Sequence, residues 1–123
     1  MTTHILEISA SARDEGSMSR LLTRDLLQAL EDRLGDITVT RRNVAEGLPF
    51  VDADWVVATN TPEEERSDAQ RRRLAFSDEL VHELMAADIL VIGAPIYNFS
   101  VPATLKAWID MIARVRFRVV QVT

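Results

Sequence analysis

The stretch "DILVIGAPIYNFSVPATLKAWID", residues 88–110, decides the fold. Its first six residues are a short apolar run closed by glycine, which predicts a strand over 88–93 buried on both faces. Pro102 suits the first turn of a helix, and "ATLKAWIDMIAR" (103–114) continues at helical spacing. Between strand and helix stand Pro95, Ile96, Tyr97, Asn98 and Phe99. A plain connector needs only Gly, Ser or Asp. Aromatic and amide groups at the end of a buried strand raise the expectation of a bound ligand.

The flanking sequence supplies the rest of the sheet. "HILEIS" (4–9) predicts a first strand, "ASARDEGSMS" (10–19) a polar loop, and a helix follows from about Ser17 to Leu34. Met18, Leu21, Leu22, Leu26, Ala29, Leu30 and Leu34 are its apolar positions, and Gly35 stands where a C-terminal glycine belongs. "ITVTR" (37–41) alternates as a second strand, and residues 43–61 predict loop with a short helical turn. Thr61, Pro62 and three glutamates predict the start of a helix that runs with breaks to about Met85. Alternating strands and helices with apolar strands imply parallel pairing and a three-layer α/β/α sandwich in one domain, 1–123.

Composition narrows the function. Formal charge is −5 with no basic block beyond Arg71–Arg73, which argues against nucleic acid. Those arginines are expected on a solvated helix face with internal ion pairs. Without cysteine there is no thiolate nucleophile or thiolate metal site, and His4 and His82 stand apart from any acidic cluster, so no metal site is expected. No apolar run is long enough to span a bilayer and "MTTHILEIS" is no signal peptide, so the expected location is cytoplasmic.

In an open parallel sheet, ligands bind beyond the carboxyl ends of strands where the strand order reverses. With strand order 2-1-3, the loops after the first and third strands face each other across such a cleft. The first loop brings Ser9, Ser11, Ser17 and Ser19 to a helix N-terminus, a phosphate cradle to which Arg13 or Arg20 could add charge. Serine also caps helices without any phosphate, and neither GxGxxG nor the P-loop pattern is present. The second loop adds flat apolar surface from Tyr97 and Phe99, the Asn98 amide and the backbone N–H groups of 96–99. An aromatic cluster closing the sheet end is the plainer alternative. Together the two loops describe a site for a mononucleotide such as FMN.

"PIYNFSVPATLKAWID", "FSDELVHELMAADILVIGAPIYNF" and the S-x-S of 17–19 resemble the FMN-dependent NADH-azoreductases. These are flavodoxin-like quinone and azo reductases, some of which carry the name acyl carrier protein phosphodiesterase. The likeness runs from about His4 to Arg114. It implies a flavodoxin-like fold, phosphate contacts at Ser11, Ser17, Met18 and Ser19, and ring contacts at Pro95, Ile96, Tyr97, Asn98 and Phe99, with Asn98 as a donor to the flavin edge. It further implies NADH or NADPH as co-substrate, a quinone or azo compound as oxidant, ping-pong hydride transfer, and a homodimer or higher oligomer; among the residues themselves no side chain reads as a general acid.

Family members continue beyond this point, so a sandwich incomplete on its C-terminal side is expected, with 115–123 an atypical tail. Strand 88–93 would then be an apolar edge for "FRVVQV" (117–122) or another chain to cover. The competing functions are a truncated, non-catalytic module that binds flavin weakly or only self-associates, an electron carrier, and a phosphodiesterase. The last lacks a metal site or activated nucleophile. Trp108 is expected in packing or an interface, Trp55 is undecided, and Lys106 and Asp110 are expected to form an exposed ion pair.

Overall fold

Parallel pairing is what the apolar strands dictate, and a computed structural model, describing residues 1–13 and 16–114, shows it in a sheet of order β2-β1-β3. The elements are β1 Thr3–Ser9, α1 Met18–Leu34, β2 Ile37–Asn43, α2 Ala53–Asn60, α3 Asp68–Ala86, β3 Ile89–Gly93 and α4 Ala103–Ile112. Ile5 pairs with Val39 on one side and Ile89 on the other, and Ser9 pairs with Asn43 and Gly93. The carboxyl ends of β1 and β3 therefore lie level and adjacent.

Alternation along β1 builds the layers. Ile5 packs with Leu27 of α1 and Val91 of β3 on one face. Leu6 and Ile8 pack on the other with Trp55 of α2, Leu74 and Leu80 of α3, and Leu105, Trp108 and Met111 of α4. Each fully buried aliphatic side chain there stabilises the fold by about 1.5–3 kcal/mol. Trp55 and Trp108 are thus core residues, at 5% and 2% exposure, and their indole nitrogens have no partner among the described residues.

Several boundaries differ from the sequence expectation. The helix expected from Pro62 is instead a short 3-10 turn, Glu63–Glu65, and Thr61 closes α2. The α3 helix starts at Ser67, whose side chain accepts from Gln70 N–H while the Gln70 side chain accepts from Ser67 N–H. That reciprocal box satisfies two end groups, which Pro62 cannot do. In α1 the buried side chains are Thr23 and Leu27, whereas Met18, Leu21, Leu22, Leu26 and Leu34 are exposed. The helical period is as expected, but the face turned to the sheet is the one aligned with Ile5 and Val91.

Strand β3 is not buried on both faces. Leu90 and Ile92 are 40% and 43% exposed because β3 is the sheet edge among the described residues. The covering strand expected at 117–122 lies outside the described residues. Lys106 and Asp110 form the expected surface pair at 2.5 Å. Arg71 pairs with Asp68 on its own helix, but Arg73 crosses to Asp52 at the start of α2.

Candidate functional site

A small residue ends β3 because α1 passes close above it. A Cβ on Gly93 would stand 2.6 Å from Thr23 Oγ1, a buried hydroxyl that donates to Ser19 O at 2.8 Å. This approach seats the first turn of α1 directly over the β1 and β3 ends. Ala10 N–H donates to Gly93 O, so the two loops leave the sheet side by side.

The first loop is organised around Ser17, the N-cap of α1. Its Oγ accepts from Arg20 N–H at 3.3 Å, donates to Ser11 Oγ at 2.8 Å and lies 3.1 Å from Ser19 Oγ. The cap consumes one of the orphan helix donors, leaving the N–H groups of Met18 and Ser19 without acceptors among the described residues. Arg20 reaches back to brace the loop, donating to Arg13 O and Ser11 O at 2.9 Å each. Two free backbone donors, the Ser19 hydroxyl and the positive end of a helix suit a phosphate; the Ser17 hydroxyl, expected as a phosphate contact, instead gives its proton to Ser11.

The second loop is a tight reversal. Tyr97 and Ser100 exchange both backbone hydrogen bonds, at 2.8 and 3.0 Å, around Asn98 and Phe99. Both central residues have positive φ, 49° and 70°, as a type I′ turn requires. Asparagine tolerates that region, whereas a phenylalanine held there costs about 1 kcal/mol or more. Phe99 gains no packing in return, being fully exposed.

One cleft of about 390 Å³ joins the loops: Ser17, Met18 and Ser19 face Pro95, Ile96 and Tyr97 across it. Arg13 and Leu22 extend its wall. Ser11 does not line it; it is buried beneath and holds Ser17. Asn98 and Phe99 stand outside its lining, exposed at the tip of the turn. Of the 96–99 backbone donors, Tyr97 N–H is already taken by Ser100 O, while those of Ile96, Asn98 and Phe99 have no acceptor among the described residues. Sequence reasoning missed Gly93 and Thr23, which set the loop separation, and no local motif marks that contact. No metal-binding cluster occurs among the described residues. The donor set fits a mononucleotide: unpaired donors at one end, an aromatic and aliphatic wall at the other.

The sequence matches the Flavodoxin-like fold family over residues 3–121. It is 54% identical over 112 residues to an FMN-dependent NADH:quinone oxidoreductase of Thiobacillus denitrificans, covering 91% of this chain and 54% of that protein. An FMN-dependent NADH:quinone oxidoreductase 1 of Hahella chejuensis is 52% identical, with 91% and 55% covered. The fold superposes on the azoreductase AzrA with TM-score 0.81 at 24% identity, covering 91% of this chain and 56% of that one. It superposes on an FMN-dependent NADH-azoreductase from Bacillus anthracis, solved in complex with FMN, with TM-score 0.73 at 21% identity and 94% and 57% covered. At those identities the structures speak to fold alone. The chain spans about half the length of the curated relatives it matches.

Proposed function

The chain belongs to the flavodoxin-like fold family, and on that premise we propose that it is the FMN-holding part of an NAD(P)H-dependent quinone or azo-compound reductase. The observation that carries this reading is the single cleft in which the Ser17–Ser19 donors face Pro95–Tyr97 across the ends of adjacent strands. The names of the relatives support it.

In this reading the N–H groups of Met18 and Ser19 and the Ser19 hydroxyl hold the phosphate, while the Ser17 hydroxyl, whose proton goes to Ser11 Oγ, shapes the turn. Ser11 acts from below by fixing Ser17. The helix end contributes on the order of 1–2 kcal/mol to an anion seated there. Pro95, Ile96 and Tyr97 carry the ring, with Phe99 extending the apolar surface. The N–H groups of Ile96, Asn98 and Phe99 and the Asn98 amide serve its polar edge, where donors favour the negative charge that builds on reduction. When bound, FMN supplies the two-electron chemistry, taking hydride from NADH or NADPH and passing it to a quinone or azo compound. Co-substrate and oxidant take turns in one pocket, a ping-pong order. No side chain is assigned as general acid.

A second copy completing the surface around the exposed turn, and a cytoplasmic location, belong to the same reading. No helix among the described residues is long and apolar enough to cross a membrane. A non-catalytic module has no observation in its favour beyond the openness of the cleft. The test is anaerobic addition of NADH to the FMN-loaded chain, freed of unbound flavin. Bleaching of the flavin absorption, reversed by a quinone, is expected. Bound FMN that NADH reduces no faster than free FMN would overturn the reductase reading in favour of a binding module.

A further inference from the structure

On the far side of the α1 N-terminus lies a second cleft, of about 460 Å³, which shares Gly16 and Ser17 with the first. It opens over the carboxyl ends of β1 and β2 rather than β1 and β3. Arg20 and Arg24, one turn apart on α1, face Arg41 of β2 across it. Glu7 is the one acid among its described lining residues, in a chain whose net charge is −5. A positive cleft in an acidic protein concentrates anions locally.

Two of the charges there, Arg24 and Arg41, are open to a ligand. Arg41 stands directly opposite Glu7 in the sheet register and donates to its Oε2 through Nε alone, at 2.7 Å. Its two terminal nitrogens have no acceptor among the described residues, and its side chain is 74% exposed. Arg24 has no ion pair among the described residues. Arg42 adds no open charge, since Glu79 and Glu83 of α3 hold its guanidinium. At the floor, the Ser9 hydroxyl lacks a partner among the described residues, and the Asn43 oxygen is bound to Ala45 N–H, leaving its amide nitrogen as donor.

We propose that this cleft binds a phosphomonoester, the phosphate seated between Arg24 and Arg41. Arginine forks match phosphate oxygens in pairs. The volume falls in the range of small-molecule sites and exceeds what a bare anion fills, so it accommodates an organic body the size of a nucleoside. Such a phosphate could belong to a free nucleotide or be the 2′-phosphate of a phosphorylated dinucleotide. The inference does not rest on flavin binding in the first cleft.

The test follows the arginine Nε–H signals of the chain by NMR while AMP, adenosine, inorganic phosphate, NADPH or FMN is added. AMP is expected to move Arg24 and Arg41 with or without saturating FMN, and adenosine is expected to move neither. NADPH moving the same signals would identify the 2′-phosphate of a dinucleotide as the source, and its failure a free nucleotide, both within the proposal. The double variant Arg24→Ser, Arg41→Ser is expected to weaken AMP at least about tenfold, as loss of charge-assisted contacts requires. FMN affinity, read separately by flavin fluorescence, is expected to stay unchanged in that variant, and Arg33→Ser elsewhere on α1 serves as the charge control. Three results would overturn the proposal: AMP leaving Arg24 and Arg41 unmoved, inorganic phosphate binding as tightly as AMP, or FMN displacing AMP.

Discussion

The Tyr97 hydroxyl accepts a hydrogen bond from the backbone N–H of Ala12 at 3.3 Å, tying together two loops 85 residues apart in sequence. Tyr97 is therefore both a wall of the cleft and a clasp on the loop opposite. Tyr97→Phe keeps the ring and removes the clasp. A net hydrogen bond is worth about 0.5–1.5 kcal/mol, so FMN affinity is expected to fall about 2- to 10-fold with little change in Tm. Fluorescence titration of FMN checks it; unchanged affinity would mean that the clasp does not shape the site.

Phe99 sits at φ 70° while wholly exposed, so the fold gains nothing from its ring. Phe99→Gly is expected to relieve about 1 kcal/mol of backbone strain, less what glycine adds to unfolded-state freedom, and to raise Tm slightly. FMN affinity is expected to move the other way, because apolar surface beside the ring is lost. Calorimetry and FMN titration on the same variant would show the opposition; a rise in both would deny Phe99 a role with the flavin.

Gly93 and Thr23 are coupled by space. Gly93→Ala forces a Cβ against the Thr23 hydroxyl and is expected to cost about 1–3 kcal/mol of stability, as overpacking does. The strain passes to Ser19, whose carbonyl Thr23 holds, so FMN affinity is expected to fall as well. Adding Thr23→Ala makes room. The double variant is expected to be more stable than the sum of the single losses, by at least about 0.5 kcal/mol. Additive losses in urea denaturation would show that the contact is not what limits residue 93.

Asp52 caps α2, accepting from Trp55 N–H, and lies 3.0 Å from Arg73. The Trp55 N–H foremost, with the Arg73 guanidinium, holds its carboxyl below the usual 3.8. A carboxyl depressed in the fold stabilises it above the ordinary value, and that contribution disappears as pH falls through the depressed one. Asp52→Asn still caps but carries no charge. The Tm deficit of this variant is expected to be present at neutral pH and to shrink below pH 3.8, the reverse of what a raised carboxyl would give.

Much of this was legible because strands and loops carry local signals. The apolar run 88–93, the Ser17 cap and Gly35 after Leu34 placed β3 and α1 to within a residue or two. The loop 95–99 announced itself through residue types no connector needs. What escaped depends on contacts distant in sequence. Ser67 outcompetes Pro62 as a helix start only through the Gln70 box. The exposure of Leu90 and Ile92 follows from which strands flank β3, not from their hydrophobicity. Ser11 reads as a phosphate ligand by composition, yet its burial under Ser17 is a property of the folded loop. The Gly93–Thr23 approach and the arginine cleft arise only when α1 and β2 are laid beside β1.

The central claim is that the Ser17–Ser19 turn seats the phosphate of FMN. Binding of FMN and of riboflavin, measured by calorimetry on the chain and on Ser19→Ala, tests it most directly. FMN is expected to bind at least about tenfold more tightly than riboflavin, the worth of one charge-assisted contact, and Ser19→Ala is expected to narrow that gap by weakening FMN alone. Equal affinity for the two flavins, or equal loss of both in Ser19→Ala, would contradict the account.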